Sequence, residues 1–133
     1  MSRSVLIIED NQLNLELVTD LLETSNFIVY SARNAEEGFQ LAEKISPDLV
    51  LMDLSLPGMD GLTATKLLKA NPATSHLTVI ALTAHAMKED QGIALAAGCD
   101  GYLTKPIDTR SFVASVTGFI ASGKLSQLKE TPI

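Results

Sequence analysis

Leu49-Val50-Leu51-Met52-Asp53-Leu54-Ser55-Leu56-Pro57-Gly58-Met59-Asp60-Gly61 is an apolar run that closes on a carboxylate and then breaks into a turn. Nothing polar alternates through the residues before Asp53, so they read as a strand buried on both faces. Pro57, Gly58 and Gly61 force a loop after it. Asp53 is therefore expected at the strand's carboxyl end, on an exposed rim.

Upstream, Val5-Leu6-Ile7-Ile8 has the same form and ends in Glu9 and Asp10. Asp10 or Asn11 can cap a helix whose apolar stripe is Leu17, Val18, Leu21 and Leu22. Phe27 to Tyr30 reads as a second strand. Asn34 with Glu37 resembles a capping box, opening a helix that buries Ala35, Phe39, Ala42 and Ile45. Downstream, a helix from about Leu62 to Lys69 stops near Asn71-Pro72, and Leu77 to Leu82 is a fourth strand with Thr83 at its end. Ala86 to Ala97 is a weak helix, because its apolar residues are mostly alanines and Gly92 costs roughly 1 kcal/mol against Ala. Gly98 is placed to end it. Gly101 to Thr104 is a short fifth strand leading into Lys105-Pro106. A last helix from Asp108 or Thr109 carries Phe112, Val113, Val116, Phe119 and Ile120, and beyond Gly123 the chain turns polar and reads as a loose tail.

Five apolar strands alternating with five helices call for an α/β fold with a parallel sheet covered on both faces. Right-handed crossovers favour the flavodoxin-like, doubly wound (βα)5 order 2-1-3-4-5, with ligands binding outside the carboxyl ends of strands one and three. That order gathers Glu9, Asp10 and Asp53 in one crevice, with Thr83 and Lys105 on the same rim.

The 133 residues fit one domain, 4–122, followed by the polar tail 123–133. A net charge of −6 argues against a nucleic-acid surface. The lone Cys99 reads as a packing residue and points to a reducing cytoplasm. The N-terminal apolar run is too short for a signal peptide or a membrane span.

Three clustered carboxylates repel, at on the order of 4 kcal/mol per close pair near an effective dielectric of 20, and call for a counter-ion. Their repulsion is expected to raise their folded-state pKa values. Oxygen-only ligands select a hard cation, and Mg2+ suits the set best. With the Lys105 ammonium and the Thr83 hydroxyl, the site is a receptor for a phosphoryl group, and Asp53 is its candidate nucleophile. Singly, each residue has a plainer reading: Asp53 as a turn carboxylate, Glu9 and Asp10 as partners of a helix N-terminus, Lys105 as a solvated cation, Tyr102 as packing. His76 and His85 have no partner at a recognisable spacing and read as surface residues.

Together, Glu9-Asp10-Asn11, Asp53 with Leu56-Pro57-Gly58-Met59-Asp60-Gly61, Thr83-Ala84 and Lys105-Pro106 resemble the response-regulator receiver domains of two-component phosphorelays. The resemblance implies that Asp53 accepts phosphate from a histidine kinase or histidine phosphotransfer protein. It implies that Glu9, Asp10, Asp53 and the Ser55 carbonyl organise Mg2+, that Thr83 and Lys105 grip the phosphate, and that the bond before Pro106 is cis. Tyr102 falls at the family's aromatic switch position, and a downstream protein would dock on helix four, strand five and helix five. Asn11, Asn14 and the stretches Leu82 to Met87 and Gly98 to Leu103 are similar to hybrid-kinase and stand-alone, DivK-like receivers. A flavin carrier is disfavoured because Glu9 and Asp10 would repel its phosphate; an unphosphorylated interaction scaffold stays open.

Overall fold

The computed structural model describes residues 3–56, 58–83 and 88–129, with 88–91 and 122–129 described by their backbone alone. Its elements are β1 (Ser4–Ile8), α1 (Gln12–Thr24), β2 (Ile28–Ala32), α2 (Ala35–Ile45), β3 (Leu49–Asp53), α3 (Gly61–Ala70), β4 (Val79–Thr83), α4 (Lys88–Ala96), β5 (Gly101–Thr104) and α5 (Phe112–Lys129). The strands are parallel, in the order β2-β1-β3-β4-β5 that the alternation of elements requires.

Because successive strand residues face opposite sides of the sheet, the continuous apolar runs feed two cores. Leu6, Ile8, Val50, Met52, Val79 and Ala81 pack under residues of α2, α3 and α4, including Ala42, Leu68 and Ala94. Val5, Ile7, Leu49, Leu51, Ile80 and Leu82 meet Val18 and Leu22 of α1 and Phe112, Val116 and Ile120 of α5. The helices start where the caps stand: Asn11 accepts from the Asn14 amide, Asn34 from Glu37 and Asp60 from Thr63.

Four local expectations need correction. The second strand runs from Ile28 to Ala32, two residues further than its apolar stretch, because pairing with Ile7 and Ile8 draws Ser31 and Ala32 into the ladder. On α1 the buried positions are Leu15, Val18 and Leu22, while Leu17 lies outside that 3.6-residue stripe and is exposed. The last α-helix starts at Phe112, after a turn in which Asp108 accepts from the Arg110 and Phe112 amides. It continues to Lys129, so the first residues of the expected loose tail are helical; 124–129 contain no Gly or Pro, and Lys, Leu and Gln favour helix. Residues 130–133, like Ala86 and Met87 at the expected start of the fourth helix, lie outside the described residues.

Gly61 is where α3 can begin against the exit of β3. A Cβ there would lie 2.5 Å from the Asp53 carbonyl oxygen and 2.7 Å from Leu54 Cα, both backbone atoms that cannot step aside. Around Gly92 a Cβ would meet nothing within 4 Å among the described residues. Gly61→Ala is therefore expected to lower unfolding free energy by about 1–3 kcal/mol, and Gly92→Ala to raise it by up to about 1 kcal/mol, as read by urea titration.

Candidate functional site

The parallel register sets the site. Ile8 pairs with Met52 and Asp53 with Leu82, so Glu9 leaves β1 level with Asp53; Thr83 pairs with Thr104, which puts Lys105 one step beyond Thr83. Ligand-capable oxygens of Glu9, Asp10 and Asp53 all lie within 4.8 Å of one another. Thr83 is buried at the end of β4.

Backbone contacts hold these side chains in place. The Glu9 amide donates to the Ala32 carbonyl (3.0 Å), and the Asn11 amide to Glu9 Oε2 (3.2 Å). Asp53 Oδ1 accepts from the Ser55 amide at 2.9 Å. The Lys105 amide donates to the Thr83 carbonyl at 2.8 Å, and the Lys105–Pro106 bond is cis. Lys105 Nζ lies 3.1 Å from Asp53 Oδ1 and 3.4 Å from Glu9 Oε1.

Asp53 stands at the strand's end as the sequence requires, but it is not exposed. Asp53 and Glu9 are each 1% accessible, with the Lys105 ammonium close against both. Burial next to a cation also changes the expected electrostatics. Burial, reinforced by the Asp53 carboxylate, pushes Glu9 up to about 7. Burial pushes Asp53 upward too, but contact with Glu9, the Ser55 amide and Lys105 outweigh it and hold Asp53 below the usual carboxylate range. Lys105 is likewise driven down by burial, and Asp53 and Glu9 more than reverse this. The carboxylates do not all rise together. Glu9 is pushed towards its neutral form while Asp53 is held towards its ionised one.

Glu9 Oε1 is buried and has no hydrogen-bond partner among the described residues, its 3.4 Å approach to Lys105 notwithstanding. An unpartnered buried oxygen beside two further carboxylates, with no nitrogen or sulfur ligand in the cluster, fits a hard divalent cation. Ser55 joins the site through its amide. Tyr102 is half-buried against the core under α4, paired in register with Ala81. His76 is exposed near the amino ends of the strands, 3.1 Å from Ser46 Oγ, and Cys99 is buried beside Thr65. Pro57, Ala84 and His85 lie outside the described residues. Arg33 was not anticipated: its Nη2 donates to the Asp10 carbonyl at 3.0 Å. Its only sequence signal is a cation at the end of β2, which the strand order places beside β1.

The family model of the response regulator receiver domain matches residues 5–117. The chain belongs to this family. It is 42% identical over 120 residues to the polar-differentiation response regulator DivK of Brucella anthropi, covering 90% of this chain and 98% of that protein. DivK of Brucella ovis is 41% identical over the same length. Among solved structures, the receiver domain of a Pseudomonas aeruginosa sensor histidine kinase is 30% identical, with a TM-score of 0.83 over 92% of this chain and 100% of that one; it carries a magnesium ion coordinated in its active-site cleft. A CheY-like receiver domain protein of Methanospirillum hungatei superposes with a TM-score of 0.83 at 26% identity, over 95% of this chain and 99% of that one. The receiver's described residues contain no helix long and apolar enough to cross a membrane.

Because Glu9 has a higher pKa folded than its ordinary 4.5, the folded chain holds more protons between that value and about 7, and stability falls as pH rises through this window. The contribution of Asp53, held low, is already complete above the ordinary carboxylate range, and that of Lys105, held high, is lost only above the ordinary lysine range. Metal-free protein should therefore lose on the order of 1 kcal/mol between about pH 6 and pH 8 in denaturant titrations. Glu9→Gln should flatten that slope; a slope that survives the substitution assigns the proton elsewhere.

Proposed function

We propose that this receiver takes up a phosphoryl group on Asp53 from a histidine kinase or histidine phosphotransfer protein, in a Mg2+-dependent reaction, and changes its protein contacts in response. The observation that carries this reading is a buried Asp53 with the Lys105 ammonium 3.1 Å away and two further carboxylates alongside. An Asp53 oxygen forms the new bond to phosphorus as the donor's bond to phosphorus breaks. Lys105 exchanges its carboxylate contact for a phosphoryl oxygen, and the Thr83 hydroxyl takes another. Glu9, Asp10, Asp53 and the Ser55 carbonyl would hold Mg2+, which supplies positive charge against the phosphoryl oxygens when bound.

Movement of Thr83 onto the phosphate frees the space into which Tyr102, on the adjacent strand, turns. The downstream partner docks on α4, β5 and α5, where Ile93 and Leu95 of α4 are 51% and 49% exposed and offer apolar anchors. The 42% identity to a DivK response regulator supports a regulator or relay intermediate of that type, and the lone Cys99 suits a reducing cytoplasm.

Incubation with acetyl phosphate and Mg2+ should add one phosphoryl group by intact mass. Asp53→Asn or chelation should abolish the adduct, and Lys105→Ala should slow its formation on the order of a hundredfold. Thr83→Ala should still label, yet capture its partner equally well with and without the adduct. A wild type that never labels is a scaffold.

A further inference from the structure

The geometry points to Arg33 as a positioning residue of the acidic site, acting on Asp10 through the backbone. Its Nη2 donates to the Asp10 carbonyl at 3.0 Å, and its Nη1 to Gln12 Oε1 at 3.1 Å. Gln12 in turn donates to Glu16 one helical turn on, at 2.9 Å. One guanidinium thus spans the peptide that carries a site carboxylate and the first residue of α1. The two contacts use neighbouring nitrogens of a planar group, so they restrain direction as well as distance.

The base of this brace is itself fixed. Ala32, the residue before Arg33, accepts from the Glu9 amide at 3.0 Å, and Asn34, the residue after it, caps α2 through the Glu37 amide at 2.9 Å. The end of β2 therefore ties down the acidic loop twice, by backbone at Glu9 and by side chain at Asp10. Asp10 is the least buried member of the cluster and lies two residues past the end of β1, so it gains most from a second tie.

Two roles of Arg33 have opposite signs. As a mere cation near three carboxylates, it opposes a divalent ion, and its removal should tighten binding. As a brace that prepays the ordering of Asp10, its removal should weaken binding. The inference rests on the cluster being a Mg2+ site, and the experiment separates the two. Titrating the full chain with Mg2+ alone by calorimetry, Arg33→Ala should bind about tenfold more weakly than wild type, with Arg33→Lys recovering part of the loss. Its metal-free denaturant midpoint should stay within about 0.5 kcal/mol of wild type. Amide exchange at Asn11 and Asn14, measured without metal, should be faster in Arg33→Ala. Binding that is equal or tighter in Arg33→Ala overturns the inference. If wild type takes up no Mg2+, the metal reading fails, and the exchange rates alone then decide: unchanged rates overturn the brace, and faster rates uphold it.

Discussion

One ammonium facing two buried carboxylates is the constraint on which the site depends. Lys105 approaches both Asp53 and Glu9, and all three groups lie at strand ends where little water reaches. Two ionised carboxylates against one cation would leave a net charge in a poorly hydrated place, which is costly. The site resolves this by making its acids unequal: Glu9 is pushed towards neutrality, while Asp53 collects the stabilising contacts and stays charged.

Nothing in this arrangement needs an unusual fold. Parallel strands in matching register bring their carboxyl ends to one level, and β1, β3, β4 and β5 each end on a polar residue or run directly into one. Glu9, Asp53, Thr83 and Lys105 come from four separate strands, so their convergence is a property of the sheet and not of any one loop. The backbone bond from Lys105 to the Thr83 carbonyl adds a local tie between the last two of these strands.

The strand order and the identity of the clustered residues were legible in the sequence, because uninterrupted runs such as Leu49 to Met52 fit only strands covered on both faces. Burial of Asp53 was not legible, since Pro57 and the glycines mark a turn but do not reveal that a lysine from another strand folds over it. Nor was the inequality of Glu9 and Asp53, which depends on which oxygen meets Lys105 and the Ser55 amide. The extent of β2 followed pairing with β1 and not its own apolar stretch. Leu17 shows the limit of counting leucines on a helix: Leu15 held the buried stripe in its place. Arg33 was invisible because its contacts are with the Asp10 backbone and the neutral Gln12 side chain at the start of α1.

The sheet's two coverings are unequal in how they grip. Under α1 and α5 lie phenylalanine, valine and leucine, whereas the described residues of α4 seat it on the small side chain of Ala94, with Ile93 and Leu95 turned outward. Each methylene taken from water is worth about 0.8 kcal/mol, so an alanine footing forfeits little when a helix slides or tilts. Among the described residues the seat of α4 is thus the lighter one, so a displacement of that helix would surrender less apolar contact than one of α1 or α5.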